Sequence, residues 1–267
     1  GVRMNIIVCI KQTPDTEHVK FNPETGTVIR EGVPNIMNPD DRQALEVALT
    51  LKDQEGGKVT CLSMGLPAAT EILKEALAMG ADEGILLTDR LLAGSDTLAT
   101  STALAAAIKK IGDYDIILCG KTAVDGETAQ VGPEIAEHLG LPQITGAIST
   151  EYKDGKFIVK RVNEETAFTL ACPAPLLVTV EKAGREPRFA SIKGKMKARK
   201  AVIPQWSVAD IGVDEALVGL PGSPTKVRKA FAPQPPVVSG EIINVEDLDE
   251  AVALLMEKLI SADVLNR

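Results

Sequence analysis

The sequence has 267 residues, of which 45% are apolar and 25% are charged, the ordinary balance of a globular protein. Lys and Arg number 29 against 37 Asp and Glu, so the formal net charge is −8, and aromatic residues make up only 3%. The acidic balance and the scarcity of rings for base stacking argue against a nucleic-acid partner, and no segment approaches the run of roughly 18 apolar residues that a membrane-spanning helix needs.

The first 140 residues alternate strand patterns with helix patterns. Short apolar runs of the type buried in parallel sheets are separated by amphipathic segments that open at Asn, Pro, Ser or Asp and close at Gly. Asn38 is predicted to cap the first of these helices. Such alternation indicates βαβ units and hence a parallel sheet with right-handed crossovers. The predicted strands are 5–11, 58–63, 83–88 and 115–120, the helices begin at 38–39, 67, 95–96 and 128, and a hairpin is predicted over 20–30.

Beyond residue 141 the pattern changes to strands with short connections. We expect these strands, at 144–151, 156–163, 167–171 and 176–181, to be antiparallel additions to the sheet. From Lys193 the chain is rich in Pro, Gly, Lys and Arg, which predicts an extended C-terminal arm that ends in an amphipathic helix over 245–260. An arm without a core of its own is expected to lie on a second subunit. The predicted fold class is α/β, with an open, mostly parallel sheet in a nucleotide-binding domain at 4–190 and a docking segment and arm at 191–267.

Four cysteines lie at positions 9, 61, 119 and 172, and no two have the C-x-x-C spacing of a zinc site or a redox dithiol. We therefore predict no metal site. Cys9, Cys61 and Cys119 each lie near the C-terminal end of a predicted strand. They are either small buried apolar residues or, in one case, part of a ligand crevice, because crevices form at strand C-termini in open α/β sheets.

The segment 120–133, GKTAVDGETAQVGP, joins the fourth strand to a helix through small residues. It lacks the spacing of a P-loop, because Asp115 stands where that motif needs Gly, and no G-x-G-x-x-G follows any strand. Small residues let a ligand approach the backbone, and the following helix N-terminus offers free N–H groups to an anion. The segment predicts a nucleotide pocket, with a tight loop before a capped helix as the alternative.

In an open parallel sheet, ligands bind where the strand order reverses. If the first and fourth strands are neighbours there, residues 9–11 face residues 119–121. Asn38 and residues 63–65 then close the sides of the crevice. A further candidate, the GSDT sequence at 94–97, is similar to the pyrophosphate loop of ATP pyrophosphatases but follows the wrong strand, and a turn with a helix cap explains it more simply.

Five stretches together resemble the β subunits of electron-transfer flavoproteins, over nearly the whole chain. The resemblance implies an adenine-nucleotide α-hydrolase-like sheet and a partner α subunit that holds FAD. In the simple members of that family the β subunit holds AMP, and its contacts match Cys9, Met64, 38–41 and 123–134 here. The stretches are VCIK at 8–11, MNP at 37–39, ALAMGAD at 76–82, the segment 120–133, and RFASIKGKMKAR at 188–199.

The loop sequence DGETAQVG at 125–132 departs from the AMP type and is similar to the bifurcating branch, in which a second FAD replaces AMP. That branch takes a hydride from NADH and parts its two electrons between the α-subunit flavin, which serves a dehydrogenase, and ferredoxin or flavodoxin. A flavin that carries the chemistry suits a chain without a nucleophile–base pair. Two alternatives stay open: a simple β subunit with structural AMP, and a non-redox adenine-nucleotide-binding regulatory module of the universal-stress kind.

The resemblance assigns roles around the loop. The backbone of 126–132 would hold the diphosphate and ribityl chain, helped by the side chains of Thr128 and Gln130 and by the neighbouring helix start. Lys11 is either a solvated strand-end lysine or a charge partner for phosphate or flavin. The predicted cofactor-binding residues are Cys9, Lys11, Asn38, Ser63, Met64, Asp96, Thr97, Cys119, Ala123, Val124, Asp125, Gly126, Glu127, Thr128, Ala129, Gln130, Val131 and Gly132.

The basic stretch 193–200 has five charges in eight residues, and it is either a solvated face or a docking rim. In this family the segment that matches Ile192 docks on acyl-CoA dehydrogenases. We predict that Ile192 anchors such a partner and that Lys193 and Lys195 steer it electrostatically.

The first residues show neither a secretory signal nor a transit pattern, so a cytoplasmic location is expected, with the mitochondrial matrix as the alternative.

Overall fold

A computed structural model of the chain describes residues 3–15, 20–21, 28–29, 33–164, 166–182, 186–227 and 240–265, with the backbone alone for 20–21 and 28–29. The chain forms two compact units, Gly1–Arg228 and Lys229–Arg267. Among the described residues, no helix is both long and apolar enough to cross a membrane.

The N-terminal half alternates strands and helices as the sequence predicts. The expected hairpin is the antiparallel pair 20–21 and 28–29, and its turn lies outside the described residues. The elements are β1 (Met4–Cys9), β2 (Gln12–Pro14), β3 (Lys20–Phe21), β4 (Val28–Ile29), β5 (Asn35–Met37), α1 (Pro39–Glu55), β6 (Gly57–Met64), α2 (Thr70–Met79), β7 (Glu83–Leu87), α3 (Thr97–Ile111), β8 (Ile116–Gly120) and α4 (Val131–Leu139).

The chain then forms the second half of the sheet and a segment that packs beside it. The elements are β9 (Gln143–Lys153), β10 (Lys156–Val162), β11 (Ala167–Cys172), β12 (Leu176–Val180), α5 (Ile192–Lys200), β13 (Gln205–Trp206), α6 (Val208–Ile211) and, in the second unit, α7 (Leu248–Ser261). In α7 the side chains of Leu248, Val252, Leu255, Met256 and Ile260 are exposed.

Nine strands form one sheet in the order β11-β10-β9-β12-β8-β1-β6-β7-β13. The central strand β1 is parallel to both neighbours, β6 and β8, and Cys9 lies opposite Cys119. Successive strands β6 and β7 extend the sheet to one side of β1, and β8 extends it to the other. The predicted reversal of strand order between the first and fourth strands is therefore confirmed.

The prediction that all four later strands are antiparallel additions is right for β10 and β11 and wrong for β9 and β12. Helix α4 carries the chain back along the sheet, so β9 runs in the direction of β8, and β12 inserts between them, parallel to both. All five residues of β12 are buried. Four of these five residues are apolar, which is typical of a parallel strand covered on both faces.

The core lies on both faces of the sheet. Ile6 and Val8 of β1 pack in one cluster with α1 and α2, whereas Ile7 and Cys9 pack in the other with α3 and α4, as strand alternation requires. The segment after residue 190 also joins this unit, because α5 contacts α2 and β13 pairs with β7. The predicted domain boundary at 190 thus falls inside the first compact unit, which extends to Arg228.

Candidate functional site

The loop 121–130 leaves the C-terminal end of β8 and leads into α4 at the reversal of strand order. The carbonyl oxygen of Ala123 accepts the N–H groups of Gly126 and Glu127 at 3.1 and 2.8 Å. Glu127 and Ala129 have left-handed φ angles of 50° and 55°, a conformation that costs a non-glycine residue roughly 1–2 kcal/mol. A left-handed residue followed by the right-handed Gln130 forms a backbone concavity of the kind that binds anions. Strain of this kind concentrates at functional sites.

The first turn of α1 holds the beginning of this loop. The Asn38 side chain donates from Nδ2 to the Thr122 carbonyl at 2.8 Å and accepts the Val124 N–H at 3.2 Å. Thr122 donates to the Asp40 carboxylate from its N–H at 3.2 Å and from its hydroxyl at 3.1 Å. Asn38 precedes α1 as expected, but its side chain makes no capping hydrogen bond. The predicted cap is wrong, because both polar groups of the carboxamide bind the loop instead.

Asp41 ties the two central strands together beneath the crevice. Its buried carboxylate accepts the N–H of Lys11 at 2.7 Å and the N–H of Gly120 at 2.9 Å. Burial raises the pKa of Asp41 to about 7, against the lowering effect of these two N–H groups. A Cβ atom at Gly120 would collide with the Asp41 carboxylate, so glycine is needed there. The AMP contacts implied by the resemblance include 38–41, but the predicted cofactor-binding residues include neither Asp40 nor Asp41.

Lys11, just after β1, forms an ion pair with Asp125 in the middle of the loop. Its ammonium lies 2.8 Å from both carboxylate oxygens of Asp125. The pair is about half exposed on the lysine side. The partly exposed side chain spans from the end of β1 to the loop, and a role as charge partner for phosphate or flavin stays a prediction.

The start of α3 brings one predicted residue to the loop and turns the other away. The Thr97 hydroxyl lies 3.1 Å from Oε1 of both Gln130 and Glu134. The other Glu134 oxygen is buried and has no hydrogen-bond partner among the described residues. Asp96 caps α3 and accepts the N–H and hydroxyl of Thr225 at 2.9 and 2.8 Å. Its carboxylate is therefore engaged with a segment outside the loop.

Cysteine, serine and methionine side chains lie at the ends of β1, β6 and β8. The Cys9 and Cys119 thiols are nearly buried, and a hydrogen bond with Cys9 together with burial raises the pKa of Cys119. Ser63 is fully buried, with a hydroxyl that has no hydrogen-bond partner in the described part of the chain, and Met64 beside it is partly exposed. Among the described residues, no three His, Cys, Asp or Glu side chains converge as metal ligands.

A cavity of about 740 Å³ adjoins the loop on the side of β12, β9 and β10. Lys121 is paired with Glu181 at 2.9 Å at its edge. Apart from Lys121, Ala129 and Pro133, its lining was missed from the sequence, because most of it depends on the insertion of β12 next to β8. The lining residues are Lys121, Ala129, Pro133, Thr145, Gly146, Arg161, Val162, Asn163, Glu164, Thr179 and Glu181.

The predicted docking residues lie at the start of α5. Ile192 is 82% exposed, and Lys193 and Lys195 are exposed beside it. Ser191 caps the helix by accepting the Gly194 N–H at 2.9 Å. A Cβ atom at Gly194 would collide with the Ala78 carbonyl of α2, so glycine permits the close packing that fixes this surface.

Comparison with known proteins gives a consistent set of relatives. The family described as "Electron transfer flavoprotein domain" matches residues 25–211. The "Electron transfer flavoprotein subunit beta" of Megasphaera elsdenii is 50% identical over 98% of this chain and 100% of its own length. The protein of the same name from Clostridium acetobutylicum is 48% identical over 96% and 98%. The "Caffeyl-CoA reductase-Etf complex subunit CarD" of Acetobacterium woodii is 46% identical, also over 96% and 98%.

Proposed function

This chain belongs to the electron transfer flavoprotein family, with β subunits as relatives along its whole length, and we propose that it binds FAD across the loop 121–130 and serves as the β subunit of a bifurcating complex. When bound, FAD would supply the redox chemistry, in which a hydride from NADH would provide one electron for an α-subunit FAD and one for ferredoxin or flavodoxin. The protein's own residues bind and position the cofactor.

The cavity beside the loop is the observation that favours FAD over AMP. An AMP-sized ligand needs only the crevice at the ends of β1, β6 and β8 and the loop. The cavity of about 740 Å³ begins at Ala129 and Pro133 and continues away from that crevice. Its size is within the range of cofactor pockets. It offers room for the second half of a dinucleotide, which AMP lacks.

The donors and acceptors along this path fit the parts of FAD. The backbone concavity at 127–130 and the N-terminus of α4 suit the diphosphate. The Glu134 oxygen that has no hydrogen-bond partner among the described residues lies next to Thr97 and Gln130 and could accept a hydrogen bond from a sugar or ribityl hydroxyl. The Ser63 hydroxyl also has no hydrogen-bond partner in the described part of the chain. Together with Cys9 and Met64 it could contact the adenosine end of the cofactor. The contact predicted for Asp96 has no such support, because Thr225 occupies its carboxylate.

Counting the nucleotides released by heat from the purified αβ complex tests this function. Two FAD per heterodimer support the bifurcating β subunit. One FAD with one AMP supports the simple type, and the absence of flavin supports the regulatory module. Either of the last two results overturns the proposal.

The proposed partners follow from the surface as well as from the family. The exposed α7 face is proposed to lie on the α subunit, and Ile192 with Lys193 and Lys195 on a flavin dehydrogenase such as an acyl-CoA dehydrogenase. One relative is named as a subunit of a reductase–Etf complex, which accords with a direct dehydrogenase contact. A cytoplasmic location remains a prediction.

Ile192→Glu tests the docking surface. A charge in place of an exposed apolar anchor should lower electron transfer to the dehydrogenase about tenfold, the loss typical of a small interface hot spot. NADH oxidation with an artificial acceptor should stay unchanged. Val202→Glu, at a residue that is 90% exposed beyond α5, is the matched control. Equal loss of both activities in Ile192→Glu would contradict a docking role.

A further inference from the structure

Arg161 is the basic residue of the cavity that has no acidic partner among the described residues. The other basic residue, Lys121, is paired with Glu181 at 2.9 Å. Arg161 donates from Nη1 to the neutral Thr145 hydroxyl at 3.3 Å, and its Nε is buried with no hydrogen-bond partner in the described part of the chain. A buried donor without an acceptor destabilises a protein, and more so when it is charged. A ligand with acceptor atoms would remove that penalty.

Arg161 is partly buried near the end of β10 and lines the cavity. Phe157 and Val159 on β10 are fully buried, and alternation puts Arg161 on the same face of the strand. Lys160, which lies between Val159 and Arg161, is exposed on the opposite face of the strand. The register between β9 and β10 shifts at Arg161, where Lys160 pairs with Ser149 but Arg161 pairs with Ala147. Bulges of this kind re-aim side chains next to binding sites.

We propose that Arg161 binds the redox-active ring of FAD in this cavity, donating hydrogen bonds to its acceptor atoms and raising its reduction potential. This inference rests on the FAD site proposed above. A hydride carries two electrons and one proton, so its transfer from NADH yields NAD⁺ and leaves one additional negative charge on the flavin. A fixed guanidinium stabilises that charge more than it stabilises the neutral oxidised ring. The ring also presents carbonyl oxygens and nitrogens that can accept from Nε and from the Nη atoms.

The αβ heterodimer with an emptied β site, titrated separately with FAD and with AMP, tests the role of Arg161. Arg161→Gln should weaken FAD binding by about tenfold or more, the effect of losing a hydrogen bond to a charged group. AMP affinity should change by less than about twofold, because AMP has no flavin ring that could reach the cavity. The midpoint potential of the FAD in the β subunit should fall by about 30 mV for each tenfold difference in affinity between reduced and oxidised flavin. Arg161→Lys, which keeps the charge, should retain most of the potential.

Lys160→Gln is the matched control, since it removes one positive charge from the other face of the same strand. It should leave both affinities and the potential at wild-type values. If wild-type protein binds FAD no tighter than AMP, the proposed FAD function fails. If wild-type protein prefers FAD while Arg161→Gln keeps both affinity and potential, the Arg161 inference alone fails. It also fails if Lys160→Gln has the same effect or if Arg161→Gln loses AMP as strongly as FAD.

Discussion

The loop after β8 has two halves that differ in how their polar groups are used. In the anchored half, 120–124, Asn38, Asp40 and Asp41 bind the backbone, and residues 121–124 are partly buried. In the open half, 126–130, every residue is exposed, and two non-glycine residues have left-handed φ angles. One half is held in place by charged and amide side chains. In the other, the N–H groups of Gly126 and Glu127 bind the Ala123 carbonyl and the backbone of 128 and 129 is exposed, so the division separates support from proposed ligand binding.

Removal of Asp41 should have the largest effect, because it holds the anchored half from beneath. Asp41→Ala leaves the buried N–H groups of Lys11 and Gly120 without acceptors, at about 1–3 kcal/mol each. At pH 6 we expect the free energy of unfolding in urea to fall by about 2–5 kcal/mol, with loss of nucleotide binding. Asp40→Ala, which frees only Thr122, should cost less than half as much. An unfolding free energy within about 1 kcal/mol of wild type would contradict this role.

The pH dependence of stability should report the same carboxyl. Burial raises the pKa of Asp41 from 3.8 to about 7, so the folded protein binds more protons than the unfolded chain between these values. The contribution of Asp41 to the free energy of unfolding is therefore greatest below pH 3.8 and is lost as the pH rises toward 7. Urea unfolding should show a loss of roughly 2 kcal/mol between pH 5 and pH 7. Asp41→Asn should remove this loss, and a slope that persists in the variant would assign it to other groups.

The stability contributed by Glu46 changes with pH in the opposite direction, and in a lower pH range. Burial raises the pKa of Glu46, but the hydrogen bonds and the positive charge of Arg188 have a larger opposite effect. The pKa of Glu46 is therefore lowered below its usual value of 4.5. Its stabilising contribution is lost as the pH falls below that value. Glu46 therefore contributes little to the loss of stability expected between pH 5 and pH 7.

The sequence predicted the parts of the site that follow from local pattern and missed those that follow from topology. The segment 120–133 and the end of β1 could be found because small residues and strand ends are visible in the chain itself. Asn38 has the residue type and position of a helix cap, and only the tertiary contact to Thr122 shows its other use. Arg161 gave no signal, since only the strand order β10-β9-β12-β8 places it in the lining of the cavity beside the loop. Long-range strand order is the property that a local pattern does not encode.

Gly126→Val tests the open half without disturbing the anchored one. A Cβ atom at Gly126 has no atom within 4 Å, so the substitution should leave the thermal midpoint unchanged. The added side chain should occupy ligand space and weaken nucleotide binding about tenfold, or about 1.4 kcal/mol. Gly240→Val, at an equally open glycine in the second unit, is the control. Unchanged flavin content in Gly126→Val would show that the open half does not contact the cofactor.

The Lys11–Asp125 pair joins the end of β1 to the boundary between the two halves, and its removal should have the smallest effect. The exposed pair contributes about 0.2–1 kcal/mol, so Lys11→Gln should barely change stability while weakening nucleotide binding about threefold. Asp125→Asn decides what Lys11 does. If Lys11 only fixes the loop, both variants weaken binding alike. If Lys11 is also a charge partner of the diphosphate, Asp125→Asn frees it and removes a repelling carboxylate, so binding tightens. We expect the second result, with a loss of salt dependence in Lys11→Gln, because the N–H groups of the open half are neutral and Lys11 is the cation fastened beside them.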